Sequence, residues 1–196
     1  MAAGDNLGLS GKEKLRFPLP LPARIAVVRV QNELNPRFCI DRGMREFESG
    51  NIQGLHSYAP DALVLPLSEV LSLADQKMRG LLDLPSLKVA IIVLTSLEDA
   101  PLASHHRDML WNAFHLPVFE QLRGWDGAVI ARECEVHDGL HFEQAVMMPE
   151  IEGEELIVMG IPTGLSAEIV EGHCDCGSET PRMRYLNKEK ARVAAA

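Results

Sequence analysis

Two short segments of the sequence concentrate cysteine and histidine, which are residue types that bind transition metals. The six residues lie in ECEVHDGLH and EGHCDCG: Cys134, His137, His141, His173, Cys174 and Cys176. Zinc selects thiolate and neutral imidazole ligands, and four such groups complete a closed tetrahedral site. The two segments are therefore candidates for one shared zinc site.

A tight turn is predicted inside the first segment. Asp138 and Gly139 form an Asp-Gly pair, which is a strong signal for a short loop between two strands. Cys134 precedes this pair and His141 follows it. We therefore expect the two residues to flank a hairpin-like loop that brings their side chains together.

The second segment places two cysteines in a Cys-x-Cys pair. In an extended strand, residues i and i+2 share a face but lie roughly 7 Å apart. Cys174 and Cys176 can therefore reach one metal only if the backbone turns between them. Gly172 and Gly177 flank the pair and permit such a turn.

Two other interpretations of the cysteines are open from their spacing alone. Cys134 lies in a β-rich stretch, where a free cysteine is often an ordinary core residue. In the second interpretation, Cys174 and Cys176 form a redox pair. Cys-x-Cys, however, lacks the geometry of a Cys-x-x-Cys pair at a helix start, which lowers the pKa of a thiol. We predict that Cys39 is a core residue of a helix.

The composition of the chain narrows the classes of function. The 196 residues include 19 Lys and Arg against 28 Asp and Glu, which gives a formal net charge of −9. The length suffices for one substantial core, and the acidic balance disfavours nucleic acid and anionic membranes as partners. No apolar run in the sequence approaches the roughly 20 residues of a membrane-spanning helix. We expect a cytoplasmic protein whose cysteines are free or bind metal.

Strand and helix signals alternate in the first half of the chain. Residues 1–22 are predicted to be a flexible tail, and residues 23–117 carry repeats of a strand followed by a helix. The strands are predicted in ARIAVVRV, DALVLPL and LKVAIIVLT, and the helices in NPRFCIDRGMREFESG, SEVLSLADQKMRGLL and ASHHRDMLWNAF. Such repeats predict a mainly parallel sheet with helices packed against it.

Several residues of these helices have predicted positions. Ser68 is expected to cap the second helix, and Met78 is expected on its apolar side. Trp111 is expected on the core side of the third helix. His105 and His106 are adjacent and therefore face different sides of that helix, and both are predicted at the surface.

The second half of the chain, residues 118–186, is predicted to be rich in β-strands. Its short strand-like segments are separated by the turn signals WDG, HDG, EGE and PTG. We interpret residues 23–186 as a single α/β domain with a three-layer-like parallel and mixed sheet. Residues 187–196 are a predicted basic tail, and RYLNKEKARVAAA is predicted to be a frayed helix.

Several segments together resemble a known family. RECEVHDGLHFEQ, GEELIVMGIPTG and EIVEGHCDCGSETPRM resemble the late part of the large domain of phenylacetate-coenzyme A ligases and their coenzyme F390 synthetase relatives, within the adenylate-forming superfamily. YAPDALVLPLSEVLSLA and the stretch from Leu94 to Leu122 are similar to the family's upstream strands and helices. The resemblance covers roughly Tyr58 to Met183.

The resemblance implies a particular set of zinc ligands. Some members of this family hold zinc at the corresponding cysteines and a histidine. Carried over position by position, the ligands would be Cys134, His141, Cys174 and Cys176. His137 would be the substitute if His141 points away.

The sequence departs from the ATP-binding features that the resemblance implies. It has no Ser/Thr/Gly-rich loop of the kind whose backbone amides hold ATP phosphates, and GNIQG is not one. The family's Tyr-Arg-Thr-Gly-Asp segment is IPTGL, so Pro162 and Leu165 stand at the Arg and Asp positions. Leu165 cannot accept hydrogen bonds from ribose hydroxyls. The segment LRGWDG places Trp125 or Asp126 where the family has Thr. We do not expect the family's mobile C-terminal domain, with its catalytic Lys, after Met183.

Two classes of function are consistent with this pattern. The favoured hypothesis is a non-catalytic, zinc-stabilised remnant of a ligase domain that acts as a binding or assembly module. The alternative is one chain of a split acyl- or aryl-CoA ligase, or a zinc-dependent hydrolase with Glu133 or Glu135 as its base. A domain cut from a larger ancestor exposes apolar surface, so we expect a homodimer, with a further protein partner as an option.

Overall fold

The computed structural model of the chain describes residues 22–29, 43–143 and 149–186. Within these residues the strands form one mixed sheet of 11 strands. The strands are β1 (Ile25–Arg29), β2 (Met44–Glu48), β3 (Ala62–Pro66), β4 (Ala90–Ser96), β5 (Val118–Arg123), β6 (Val129–Glu133), β7 (Leu140–Phe142), β8 (Glu150–Glu152), β9 (Glu155–Val158), β10 (Ile161–Val170) and β11 (Arg182–Tyr185). Their order across the sheet is β2-β1-β3-β4-β5-β6-β7-β11-β10-β9-β8.

The first half of the sheet is parallel. β1 lies between β2 and β3, and β3, β4 and β5 follow side by side in the same direction. The helices of this half are α1 (Ile52–Tyr58), α2 (Leu67–Met78) and α3 (Ser104–Phe114). The predicted α/β fold with a parallel and mixed sheet is therefore confirmed.

Helices α1, α2 and α3 pack their apolar sides against the parallel strands. Leu55 of α1, Val70 of α2 and Leu110 of α3 are almost fully buried in one core cluster. The alternate residues of the same strands form a second cluster, because successive strand residues point to opposite faces. No helix in the described part of the chain is both long and apolar enough to cross a membrane.

The second half of the sheet is antiparallel and carries both cysteine segments. β6 pairs with β5 and β7, β11 lies between β7 and β10, and β9 and β8 complete the sheet. The buried residues of this half form a separate core that includes Leu122, Leu140, Leu156 and Met183. This arrangement matches the predicted β-rich second half.

One predicted helix is replaced by a strand. NPRFCIDRGMREFESG predicts a helix, but Met44–Glu48 form β2, which pairs in parallel with β1. Phe47 is buried and Glu48 is exposed, as expected for alternate residues of a strand at a sheet edge. The earlier part of this segment, with Cys39, lies outside the described residues.

Helix α2 begins earlier than predicted, and two large apolar side chains are exposed. Pro66 is the N-cap of α2 and no side chain caps it, so Ser68 does not have the predicted role. Met78 and Trp111 are 51% and 54% exposed. Both predictions of burial are wrong because the apolar stripes of α2 and α3 run beside these positions.

His106 is buried, which contradicts its predicted surface position. Its exposed fraction is 4%, and its Nδ1 atom accepts a hydrogen bond of 3.3 Å from the backbone N–H of Ala103. The imidazole therefore caps the first turn of α3, where backbone N–H groups lack partners within the helix. His105 is exposed, as predicted.

The structure also contains elements that the sequence patterns did not indicate. Helix α1 and strand β11 are two such elements. β11 includes Arg184 and Tyr185, which were predicted to begin a helix. β10 continues through the predicted PTG turn, with a register shift between Pro162 and Ser166. The predicted tail before Pro22 and the predicted basic tail after residue 186 lie outside the described residues.

Candidate metal centre

Four candidate ligands converge at one end of the antiparallel strands. The ligand atoms of Cys134, His141, Cys174 and Cys176 all lie within 4.8 Å of one another. Cys134 follows β6, His141 lies on β7, and the other two lie between β10 and β11. Because these four strands are neighbours in the sheet, loops that are distant in sequence meet at one point.

The first loop is the hairpin that the Asp-Gly pair predicts. β6 and β7 are antiparallel, with Glu133 opposite Leu140. The backbone N–H of His137 donates a hydrogen bond of 3.1 Å to the carbonyl of Cys134. Gly139 has a φ of +90°, and a Cβ atom there would lie 2.5 Å from the carbonyl oxygen of Met183. Glycine is therefore required for the hairpin to approach β11.

The second loop turns the Cys-x-Cys pair toward the same point. The N–H of Gly177 donates to the carbonyl of Cys174 at 2.8 Å, and the N–H of Cys174 donates to the carbonyl of Ser178 at 2.9 Å. Gly172 and Gly177 have φ values of +97° and +86°, which is a conformation that glycine adopts readily. The predicted backbone turn between the two cysteines is present.

The distances within the cluster match those around a tetrahedral zinc. The Sγ atoms of Cys134 and Cys174 are 3.8 Å apart, and the Sγ of Cys176 is 3.6 Å from the Nε2 of His141. Zn–S bonds of ~2.3 Å and a Zn–N bond of ~2.0 Å at tetrahedral angles give ~3.8 Å between sulfurs and ~3.5 Å between sulfur and nitrogen. These two pairs therefore already have tetrahedral spacing, and all four ligand atoms lie within 4.8 Å of one another.

The ring of His141 is oriented by Thr180. Its Nδ1 atom lies 3.1 Å from the backbone oxygen of Thr180 and 3.1 Å from the Oγ1 of the same residue. A carbonyl oxygen only accepts, so the Nδ1–H form of the ring suits this contact and leaves the Nε2 lone pair facing the cysteines. A hydrogen bond of this kind from the second ring nitrogen is typical of histidines that bind metal.

The environments of the thiols favour a cation at the centre. Burial raises the pKa of Cys134 to about 12. Burial also opposes ionisation of Cys174. Its pKa is nevertheless below the ordinary value, because the thiolate accepts hydrogen bonds from the backbone of Cys176 and from the neighbouring thiols and is favoured by the charge of Arg182. Adjacent thiols cannot all ionise without a counter-charge, and a divalent metal ion supplies one.

Arg182 links the two loops. Its side chain donates to Oδ2 of Asp138 at 3.0 Å and 3.2 Å, and to the carbonyl of Gly172 at 3.2 Å. Arg184 donates to the other carboxylate oxygen of Asp138. Hydrogen bonds from Arg184 and then Arg182 hold the pKa of Asp138 below its usual value. A buried arginine thus fixes the hairpin against the Cys-x-Cys loop.

His137 and His173 do not belong to the cluster. The Nδ1 of His137 lies 3.0 Å from the carboxylate of Glu133, and its ring stacks on Phe119 with a centroid distance of 4.9 Å. His173 is exposed. The nitrogen donor that the structure brings to the three cysteines is therefore His141, and the option of His137 is removed.

A second polar cluster is buried beside the hairpin, and the sequence patterns did not reveal it. Glu120 of β5 is fully buried, and its Oε1 accepts hydrogen bonds from Thr95 at 2.9 Å and Tyr185 at 3.3 Å. Burial raises the pKa values of Glu120 and Tyr185. The only signal was an acidic residue inside a strand-like segment, VFEQLR.

Glu133 lies next to Glu120 and has the opposite character. Its carboxylate accepts hydrogen bonds of 2.9 Å from Arg107 and from the backbone N–H of Glu120. Burial opposes its ionisation, but the hydrogen bond from His137, the charge of Arg107 and the Glu120 amide hold its pKa below the usual value. Glu133 is therefore a structural ion-pair partner.

The positions that replace the ATP-binding residues of the resembled family lie on β10. Pro162 is opposite Ile157 in the β9–β10 pairing. Leu165 is half-buried and packs against the core of the second half. At this position the chain contributes an apolar side chain to its own core.

The comparisons with known proteins identify a fold. No protein-family model and no curated protein matches the sequence. Among solved structures, an open conformation of 2-hydroxyisobutyryl-CoA ligase in complex with 2-HIB-AMP and CoA matches 83% of this chain with a TM-score of 0.63 and 14% identity. The same ligase in its thioesterification state matches 82% of this chain with a TM-score of 0.59 and 14% identity.

The chain spans less than half of that ligase, 44% and 42% of its length in the two structures. At this identity the likeness concerns the fold alone. The narrower resemblance to phenylacetate-coenzyme A ligases stays a prediction. The chain shares the fold of part of an adenylate-forming ligase, and a cluster of three cysteines and one histidine is built into its antiparallel half.

Proposed function

We propose that this protein is a non-catalytic, zinc-stabilised relative of the phenylacetate-coenzyme A ligases that acts as a binding or assembly module. The observation that carries the proposal is the convergence of Cys134, His141, Cys174 and Cys176 within 4.8 Å. In the proposed site the zinc joins the β6–β7 hairpin to the loop between β10 and β11.

The donor set favours zinc in a structural role. Three thiolates and one imidazole are soft and borderline ligands, which suit zinc better than the oxygen-seeking metals. Structural zinc sites are closed by four protein ligands, whereas catalytic sites keep one position open for water or substrate. Four ligands leave no position for water. Zinc with three thiolates carries a net negative charge, and the positive charge of Arg182 favours the thiolate form of Cys174.

The surroundings of the cluster disfavour the alternative of a zinc hydrolase. Such an enzyme needs a carboxylate that can accept a proton from zinc-bound water. The carboxylate of Glu133 is occupied by Arg107, His137 and the Glu120 amide. Glu133 is also opposite Leu140 in the β6–β7 pairing, so it faces away from His141, the next residue on β7.

The replacement of nucleotide-binding residues supports the absence of ligase activity. Leu165 packs against the core instead of presenting a carboxylate. Pro162 has neither a charge nor a backbone donor. The 196 residues contain no glycine-rich phosphate loop. Under this proposal the fold is retained for its surfaces and its metal centre.

The proposed absence of catalysis is tested by carboxylate-dependent exchange of pyrophosphate into ATP. Zinc-loaded protein is assayed with a panel of aryl and acyl acids, and the zinc content of the same sample is measured. We expect exchange at the background rate with every acid. Exchange above background with any acid would contradict the non-catalytic function while leaving the metal site standing.

We further propose that the protein forms a homodimer. The chain covers 44% of the ligase that it resembles in fold. Its exposed large apolar side chains include Trp111, Leu81, Met159 and Ile161, which are 54%, 64%, 67% and 50% exposed. Exposed apolar side chains are often covered at interfaces, and self-association offers a way to cover these.

A further inference from the structure

The three thiols of the metal centre also form a candidate site of oxidation. Cys134, Cys174 and Cys176 are free cysteines that share one centre. Cys134 and Cys176 are half-buried, and Cys174 is 2% exposed. A small oxidant can therefore reach the rim of the cluster, with a second thiol directly behind the first.

We propose that Cys134 and Cys174 form a reversible disulfide when a peroxide oxidises this site, and that the disulfide releases the metal. The proposal rests on the zinc site proposed above and adds its regulation. Their Sγ atoms are 3.8 Å apart, and a disulfide requires ~2.05 Å. The two sulfur atoms must therefore approach by about 1.8 Å.

The loops that carry the two cysteines are suited to this approach. Cys134 and Cys174 begin separate turns, because their carbonyls accept from the N–H groups of His137 and Gly177, so a bond between them joins two loops without closing a ring inside either one. A bond between Cys174 and Cys176 would close a small ring through one residue and distort the turn held by the Gly177 N–H and the Cys174 carbonyl at 2.8 Å. The Sγ of Cys176 instead contacts the Nε2 of His141 at 3.6 Å.

The chemistry has two balanced steps. The half-buried sulfur of Cys134 attacks hydrogen peroxide, the O–O bond breaks, and a sulfenic acid and hydroxide form. The sulfur of Cys174 then attacks the sulfenic sulfur, the S–S bond forms and a second hydroxide leaves. Two electrons pass from the sulfurs to the peroxide, and two protons convert the hydroxides to water. The metal loses two of its four ligands, and a dithiol reductant reverses the reaction.

The test combines metal release with disulfide mapping. Zinc content is measured first, on protein carrying Cys39→Ser so that every remaining cysteine belongs to the cluster. The sample is then treated with a few equivalents of hydrogen peroxide beside a chromogenic chelator, and its peptides are mapped by mass spectrometry without reduction. We expect loss of about one zinc per chain, a Cys134–Cys174 linkage, and recovery of zinc binding after reduction.

Two variants separate this pairing from the others. Cys176→Ser should form the Cys134–Cys174 linkage as readily as the parent, and Cys174→Ser should link its remaining thiols more slowly under the same treatment. A Cys134–Cys176 or Cys174–Cys176 linkage in the parent, or irreversible sulfinic acid alone, would overturn the proposal. A protein that lacks zinc before treatment contradicts the zinc site itself, and the mapping still decides the disulfide.

Discussion

The sulfur atoms of Cys134 and Cys174 lie 3.8 Å apart although 40 residues separate them in the chain. The contact joins a hairpin on one pair of strands to a loop on the neighbouring pair. A metal bound there would act as a cross-link, so its binding energy would add to the stability of the antiparallel half. The following predictions test this relationship and the networks around it.

Thr180→Val should weaken zinc binding without removing the site. The variant loses the hydroxyl that lies 3.1 Å from the Nδ1 of His141, but it keeps the backbone carbonyl. Loss of a partner behind a metal-binding histidine lowers metal affinity by about 10-fold or more. Competition with a chromogenic chelator measures the affinity. Thr163→Val is a matched control, because Thr163 donates to the carbonyl of Leu156 on β9, and its zinc affinity should equal that of the parent.

Asp138→Asn should destabilise the protein and flatten part of its pH dependence. The low pKa of Asp138, caused by Arg184 and Arg182, means that its stabilising effect is present above the ordinary Asp pKa and is lost as the pH falls through the lowered value. Leaving the buried Arg182 without this anion should cost about 1–3 kcal/mol.

Urea unfolding of Asp138→Asn and of the parent is measured at each pH. Acid releases zinc from both proteins, so the difference between their unfolding free energies at one pH reports the loss of the Asp138 carboxylate. Asp75→Asn is the control, since Asp75 forms an exposed pair with Arg79 and should change stability by less than about 0.5 kcal/mol. An Asp138→Asn variant that tracks the parent at every pH would contradict the assigned bridge.

Glu120→Gln should cost little stability at neutral pH, and the stability of the variant relative to the parent should increase as the pH rises. Burial raises the pKa of Glu120, so the native state keeps its proton above ~4.3, where an unfolded Glu loses it. The parent therefore loses stability as the pH rises from that value through the raised pKa. Glutamine keeps the acceptor for Thr95 and removes this loss.

The neighbouring acid provides the contrast. Glu133→Gln should lower stability by about 1–3 kcal/mol at neutral pH, because it removes the closer of the two carboxylates that face the partly buried Arg107. Unfolding by urea between pH 5 and 9, with zinc in excess, distinguishes the two variants. If Glu120→Gln proved the more harmful substitution at every pH in this range, the raised pKa of Glu120 would be contradicted.

The protein should self-associate in solution. Large apolar side chains that are exposed, such as Trp111, are expected to be covered in a dimer. Sedimentation equilibrium at tens of micromolar should give twice the chain mass. A monomeric mass at that concentration would count against the proposed dimer and would leave the zinc site unaffected.

Local sequence signals predicted the turns of the metal centre well. The Asp138-Gly139 pair specified the hairpin, and Gly172 and Gly177 allowed the turn of the Cys-x-Cys pair, because backbone conformation at such positions depends mostly on the residues themselves. The choice of His141 over His137 could not come from spacing. It depends on the pairing of His141 with Arg182 on β11, which is a long-range contact.

Tertiary packing decided the predictions that failed. β2 lies in a segment that was predicted to be a helix, yet its pairing with β1 makes it a strand. His106 is a polar residue on a helix, yet it caps that helix from a buried position. The burial of Glu120 likewise depends on Thr95 and Tyr185, which come from distant segments. The pairing of β2 and the contacts of Glu120 are long-range and leave no local pattern in the sequence, whereas the contact of His106 with Ala103 spans only three residues.

The proposed structural zinc, held by Cys134, His141, Cys174 and Cys176, is tested by elemental analysis together with thermal unfolding. Protein purified without a chelator should contain about one zinc per chain. Cys174→Ser should lower the zinc content and the melting temperature together, and Cys39→Ser should change neither by much. A parent with well under one zinc per chain, and a Cys174→Ser variant that melts like the parent, would contradict the proposed site.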